Sequence, residues 1–148
     1  MLIGALLDLY KAQVTRQKLE IWAPDAEFET IFGKAVGRKQ VEAQWWAMDK
    51  MMEDVRVLRH KVLRNDERGF ELELEVRYVV KGVGASYVVE SVVEVEVDES
   101  GEKVSRCVDK WKGGESHSRI LEVSRRGWRC DKGGLLTMNR LLRERRQL

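Results

Sequence analysis

The run Phe70-Glu71-Leu72-Glu73-Leu74-Glu75-Val76-Arg77-Tyr78-Val79-Val80 alternates apolar and charged side chains over nearly its whole length. In a pleated strand successive side chains point to opposite faces. Phe70, Leu72, Leu74, Val76, Tyr78 and Val80 therefore share one face, and Glu71, Glu73, Glu75 and Arg77 the other. That is the pattern of an antiparallel strand with one face in the core and one in water. Downstream, after a turn at Gly82–Gly84, Tyr87 to Val97 forms a second long strand. Asp98, Glu99, Ser100 and Gly101 then supply hairpin chemistry leading into a strand over Val104 to Trp111. Upstream, Val55 to Arg64 completes a meander. Near the start of the Tyr87 strand both faces are apolar, with Val88 and Val92 opposite Tyr87, Val89 and Val93. Such a strand has protein on both sides, either the C-terminal segment or a second copy in a homodimer formed through the sheet, or else carries ordinary surface valines.

Further out the period changes. Leu2, Leu6, Leu9 and Gln13, or Leu6, Tyr10 and Val14, share one side at helical spacing, which predicts an amphipathic helix over about residues 2 to 12, and Lys18 to Trp22 adds a turn before Pro24 stops it. Ala26 to Phe32 alternates as a short strand, and Gly33 and Gly37 bracket a turn. Arg38 to Met52 is a second amphipathic helix, with Val41, Trp45, Met48 and Met52 on its stripe and Trp46 off it. The resulting class is α+β, a curved antiparallel sheet packed on N-terminal helices. Residues 1–132 form this domain. Residues 133–148 form a basic tail, read as a short C-terminal helix with Leu135, Met138 and Leu142 on one stripe.

The 148 residues are 43% hydrophobic and 35% charged with a net charge of +2, which describes one folded domain and excludes a disordered chain. No apolar stretch reaches the ~20 residues a membrane span needs, and the chain reads as cytoplasmic. Residues 125–148 carry +6, leaving −4 on residues 1–124. No RNA-reading motif accompanies that basic segment, so nucleic acid is not an expected partner. Cys107 and Cys130 lack CxxC spacing and His60 and His117 lie far apart, so neither a metal nor any other cofactor is implied.

The run IWAPDAEFETIFGKAVGRKQVEAQWWAM, residues 21–48, resembles the nuclear transport factor 2-like superfamily in its SnoaL-like and ketosteroid-isomerase-like branch. The matching positions are Trp22, Ala23, Asp25, Ala26, Phe28 and Glu29, then Gly37 before the helix bearing Trp45 and Trp46. The resemblance implies a cone-shaped fold, known for isomerases, cyclases, dehydratases, ligand carriers and dimerisation modules. In the ketosteroid-isomerase branch the general base is an Asp followed by Pro; here those positions are Thr30 and Ile31. A threonine cannot take a proton from carbon near neutral pH, so that mechanism does not carry over. Tyr10 corresponds to the oxyanion-donating tyrosine of that branch in one register of the first helix.

Two residues are candidate acid–base groups. Asp109 shares a strand face with Cys107 and Trp111. If that face is inner, Asp109 is a buried carboxylate able to act as acid or base; if Val104, Arg106 and Val108 face inward, it is structural or solvated. His60, between Leu58 and Val62 on one face, is either a proton shuttle or a half-buried histidine with its hydrogen bonds satisfied. Tyr10, Trp22, Phe28, Trp45, Tyr78, Tyr87 and Trp111 are the candidate ligand-binding residues. Their rings either leave a slot for a small apolar or aromatic molecule or fill the cone. The expected function is ligand binding, with any catalysis being cofactor-independent isomerase, cyclase or dehydratase chemistry. The alternative is a non-catalytic dimerisation module with a filled cone.

Overall fold

A computed structural model describes residues 2–31, 33–82 and 86–113, together with the backbone of 128–130 and 136–138. The elements run α1 (Leu2–Tyr10), α2 (Arg16–Leu19), β1 (Trp22–Thr30), β2 (Gly33–Val36), α3 (Arg38–Met51), β3 (Met52–Asp66), β4 (Gly69–Val80), β5 (Ser86–Val97), β6 (Val104–Trp111), β7 (Trp128–Cys130) and β8 (Leu136–Met138). β1 to β6 form one sheet in the order β2-β1-β6-β5-β4-β3, and β7 pairs with β8 separately. All neighbours in the large sheet are antiparallel except β1 and β6, which are parallel. The architecture is the α+β curved sheet with N-terminal helices that the alternation predicts.

Alternation and burial coincide in β4 and β5. Phe70, Leu72, Leu74, Val76, Tyr78 and Val80 are buried, as are Tyr87, Val89, Ser91, Val93 and Val95. The intervening Glu residues stand on the outer face, where Glu94 pairs with Lys110 at 2.8 Å and Glu73 with Lys112, just past the end of β6, at 3.1 Å. Exposed pairs of this kind add little stability each; they make the outer face soluble. Val88 is exposed on that face and Val92 is half-buried. The core lies on the inner face, where Leu6, Leu9 and Tyr10 of α1 and Val41 and Trp45 of α3 are buried to 1% exposure or less. Each such aliphatic side chain contributes about 1.5–3 kcal/mol of transfer free energy.

The curvature has a local cause in β3. Its register against β4 slips between Met52 and Asp54, Val57 and Arg59, and Val62 and Arg64, leaving Glu53, Leu58 and Leu63 without a facing partner. A bulge bends the strand that carries it and increases its twist, so three in succession wrap β3. At the β3–β4 corner Gly69 has φ +155°, and a Cβ there would stand 1.8 Å from the Val95 carbonyl oxygen, so only glycine allows β4 to start this close to β5.

Several boundaries differ from the sequence expectation. The helical turn after α1 is Arg16–Leu19, capped by Thr15 Oγ1 accepting from the Lys18 N–H at 3.2 Å, rather than Lys18–Trp22. Pro24 stops no helix. It sits inside β1 where the pairing with β6 shifts between Trp22 and Glu27, a place where its missing N–H breaks no ladder. Gly33–Val36 is an edge strand rather than a turn, paired with β1 from Glu27 to Thr30. Leu136–Met138, expected within a C-terminal helix, is a strand pairing with Trp128–Cys130. The helical spacing of Leu135, Met138 and Leu142 is a local pattern and does not reveal that pairing. The rest of the basic tail, including Leu135 and Leu142, lies outside the described residues, as does Phe32. Among the described residues no helix is long and apolar enough to cross a membrane.

Candidate functional site

The inner face of β6 carries Cys107 and Asp109, with Trp111 beyond them at the strand's end, partly buried. α1 lies against this face and aims Tyr10 at Asp109. The phenol hydroxyl donates to Asp109 Oδ2 at 2.8 Å, joining residues 99 apart in sequence. Oδ1 is buried and has no hydrogen-bond partner. Trp111 and Ser91 side-chain donors favour the charged form more weakly than Tyr10 does. Burial dominates, and holds the Asp109 carboxyl at about 6 against an ordinary 3.8. The same burial, followed by the Asp109 charge, pushes the Tyr10 phenol and the Cys107 thiol well above their ordinary values. Tyr78 moves upward for the same two reasons. All three stay neutral around Asp109.

A cavity opens on this carboxylate. Its wall combines Phe28, Trp45, Tyr78 and Trp111 with Met48, Met51 and Met52 of α3 and its junction with β3, and its polar residues are Tyr10, Thr30, Gln44 and Asp109. The space open to the centre of a water-sized sphere is about 40 Å³, room for roughly three waters or a few heavy atoms. Aromatic rings pack against one another around this space. Phe28 stacks on Trp45 at 5.0 Å, Tyr10 meets Trp45 edge-on at 5.1 Å, and Tyr78 stacks on Trp111 at 6.2 Å. The methionines, with flexible unbranched side chains, form the part of the wall best able to adapt.

Of the ligand-binding candidates, Tyr10, Phe28, Trp45, Tyr78 and Trp111 line the cavity. Trp22 does not. It is fully buried behind them, 5.5 Å from Phe28 and 6.3 Å from Trp45. Tyr87 is buried directly across from Tyr78 in the β4–β5 ladder but outside the lining. His60 lies away from the cavity altogether. The bulge at Leu58 resets the alternation, putting His60 opposite Leu74 on the inner face, yet on an exposed stretch of the edge strand that none of the described helices covers. It is exposed there, with Val62 44% exposed beside it. His60→Ala should therefore move the urea midpoint by less than about 0.5 kcal/mol equivalent and leave ligand responses unchanged.

Gln44 is the lining residue that sequence reading missed. It is 5% exposed, with its Oε1 buried and unpartnered. A signal existed: Gln44 falls between Val41 and Trp45 on the buried stripe of α3, and a polar residue in such a position needs a reason. The indole N–H groups of Trp22 and Trp45 are also buried without partners. Among the described residues no three His, Cys, Asp or Glu side chains come together to hold a metal ion. Tyr10→Phe would remove the donor that favours the Asp109 anion. The expected result is a carboxyl titrating above about 6 and a fold weaker by about 1–3 kcal/mol at neutral pH, read by carboxyl carbon NMR and urea unfolding.

No family model and no curated protein sequence matches the chain; structural comparison does. A hypothetical protein with a ketosteroid isomerase-like fold from Catenulispora acidiphila, crystallised in complex with trimethylamine, superposes with a TM-score of 0.63 at 16% identity, over 75% of this chain and 85% of that one. An NTF2-like protein from Anabaena variabilis gives 0.67 at 12% identity, over 78% and 87%. The chain has the nuclear transport factor 2-like fold. A third member of this fold, a putative polyketide cyclase from Pseudomonas putida, matches with a TM-score of 0.62 at 16% identity, over 75% of this chain and 89% of the cyclase. At such identities the nuclear transport factor 2-like likeness speaks for the fold, and function has to be argued from the site.

Proposed function

We propose that the cone binds a small molecule and that Asp109 serves there as an acid–base group, in chemistry of isomerase, cyclase or dehydratase type. The observation that carries this reading is a carboxylate 7% exposed, held by Tyr10 through Oδ2, whose Oδ1 is left unpaired beside a cavity walled by aromatic and methionine side chains. A buried acceptor without a partner costs stability, and a ligand that donates to it recovers the loss. A carboxyl titrating near neutral pH is suited to taking and returning a proton. In such a step the substrate's C–H or O–H proton moves to Oδ1, the electron pair stays on the substrate, and the same O–H then delivers the proton to another substrate atom. Tyr10, bonded to Oδ2, fixes the carboxylate's orientation and supports its charged state. The small space limits the substrate, or the part of it that enters, to a few heavy atoms unless the methionines move. Two neighbours of the same fold add support, one described as a putative polyketide cyclase and one crystallised in complex with trimethylamine. The test is deuterium exchange from solvent into a panel of small carbonyl compounds; the reading expects exchange that depends on Asp109, and exchange unaltered in Asp109→Asn contradicts it.

The second reading, a dimerisation module, draws support from the small cavity and from Val88, 40% exposed on the outer face. It expects sedimentation as a dimer that Val88→Lys dissociates, together with no ligand response from the cone.

A further inference from the structure

We infer that the cone's ligand is a small protonated amine, its N–H groups directed at Asp109 Oδ1 and Gln44 Oε1 and its carbons against the Phe28, Trp45 and Tyr78 rings. This rests on the reading of the cone as a ligand site and does not require the acid–base chemistry.

Asp109 and Gln44 are 7% and 5% exposed, line the same cavity and each leave an oxygen without a hydrogen bond. Two buried acceptors lining one cavity, one from α3 and one from β6, ask for a ligand rich in donors. The Gln44 amide can turn to present oxygen or nitrogen, so the carboxylate decides the charge. The titratable groups coupled to Asp109 are Tyr10 from α1, Tyr78 from β4 and Cys107 on its own strand, and all three are neutral. α3 faces the cavity with Gln44, Trp45, Met48 and Met51, β1 with Phe28 and Thr30, and the start of β3 with Met52. None of these is cationic. Tyr10, Trp111 and Ser91 side-chain donors support the ionised form of Asp109 but bring no charge, so it is a buried anion that no described lining residue neutralises, and an ammonium ion directed at Oδ1 would supply the charge. The wall suits the rest of such a molecule, because a cation over an aromatic face gains about 0.5–2 kcal/mol, with Trp the strongest partner. Size completes the assignment: about 40 Å³ of space admits an amine of roughly three to five heavy atoms and excludes a polycyclic one.

The experiment follows the intrinsic tryptophan fluorescence of the full chain at pH 8 with three probes of matched size: isopropylammonium, isopropanol and acetate. The inference expects isopropylammonium to bind at least about tenfold more tightly than isopropanol and acetate to give no response. The preference for the amine should vanish in Asp109→Asn, and in the unaltered protein it should fall as pH is lowered through 6. Gln44→Leu should weaken amine binding while keeping the preference. Isopropanol equalling the amine, acetate binding instead through the Trp45 indole N–H, or a preference that survives Asp109→Asn overturns the amine assignment and leaves the cone a ligand site. Silence with all three probes overturns both.

Discussion

Asp109→Asn should slow proton transfer by about 10²–10⁴-fold and at the same time make the protein more stable above pH 6. The second half follows from linkage. Burial raises the folded carboxyl from 3.8 to about 6, so between those values the folded state holds a proton that the unfolded state has lost. The stability associated with Asp109 is fully present below pH 4 and disappears as pH rises through 6. That rise corresponds to about 3 kcal/mol. Asparagine keeps the shape and can still accept from Tyr10, but never ionises, so the variant should gain about 1–3 kcal/mol at pH 8 and lose the slope between pH 4 and 6. Asp66, Glu73 and Asp98 work in the opposite sense. Their side-chain hydrogen bonds to Arg64, Lys112 and Ser100 respectively lower their carboxyls, so their contribution is lost only as pH falls below the ordinary carboxylate range. The two windows are separate, and urea unfolding of both proteins from pH 3 to 8 isolates Asp109. A variant less stable than the parent at pH 8 would show that the carboxylate is a structural anchor instead.

Trp45→Ala should cost about 3–5 kcal/mol, the range for deleting a large ring from a core. Trp45 is fully buried, stacks on Phe28 at 5.0 Å, takes the edge of Tyr10 at 5.1 Å and lies 6.3 Å from Trp22. Its loss removes the support behind the Tyr10 ring, so the Tyr10–Asp109 hydrogen bond should weaken along with the fold. The neighbouring Trp46 is 38% exposed and serves as the control; Trp46→Ala should stay within about 0.5 kcal/mol of the parent. Equal effects of the two substitutions in urea unfolding at neutral pH would contradict the packing described for α3.

The pair also shows what a single sequence discloses. Helical spacing separates Trp45 from Trp46, because the Val41, Trp45, Met48, Met52 stripe must find a core. Strict alternation likewise assigns every inward residue of β4 and most of β5, and it puts Asp109 on the face of Cys107. Those are local consequences of backbone geometry. The pairing of Tyr10 with Asp109 is not local. It depends on β1 running parallel to β6 and on α1 crossing the sheet, neither of which has a signature in either segment. His60 failed for a related reason: one extra residue in a bulge changes which neighbours share its face, and the reach of the covering helices decides whether that face is dry. Gly33–Val36 read as a turn because two glycines bracket it, whereas its partner, β1, makes it a strand. Gln44 shows in the sequence only as one polar residue on the apolar stripe of α3, and the stripe does not say which cavity that residue lines.

The most direct test of the whole account is the titration of the Asp109 carboxyl carbon by NMR in the intact protein. A buried carboxylate at the floor of the cone predicts a midpoint of about 6, apart from the surface carboxylates, and a higher one in Tyr10→Phe. A midpoint near 3.8, unmoved by the loss of the Tyr10 hydroxyl, would place Asp109 in water and remove the site.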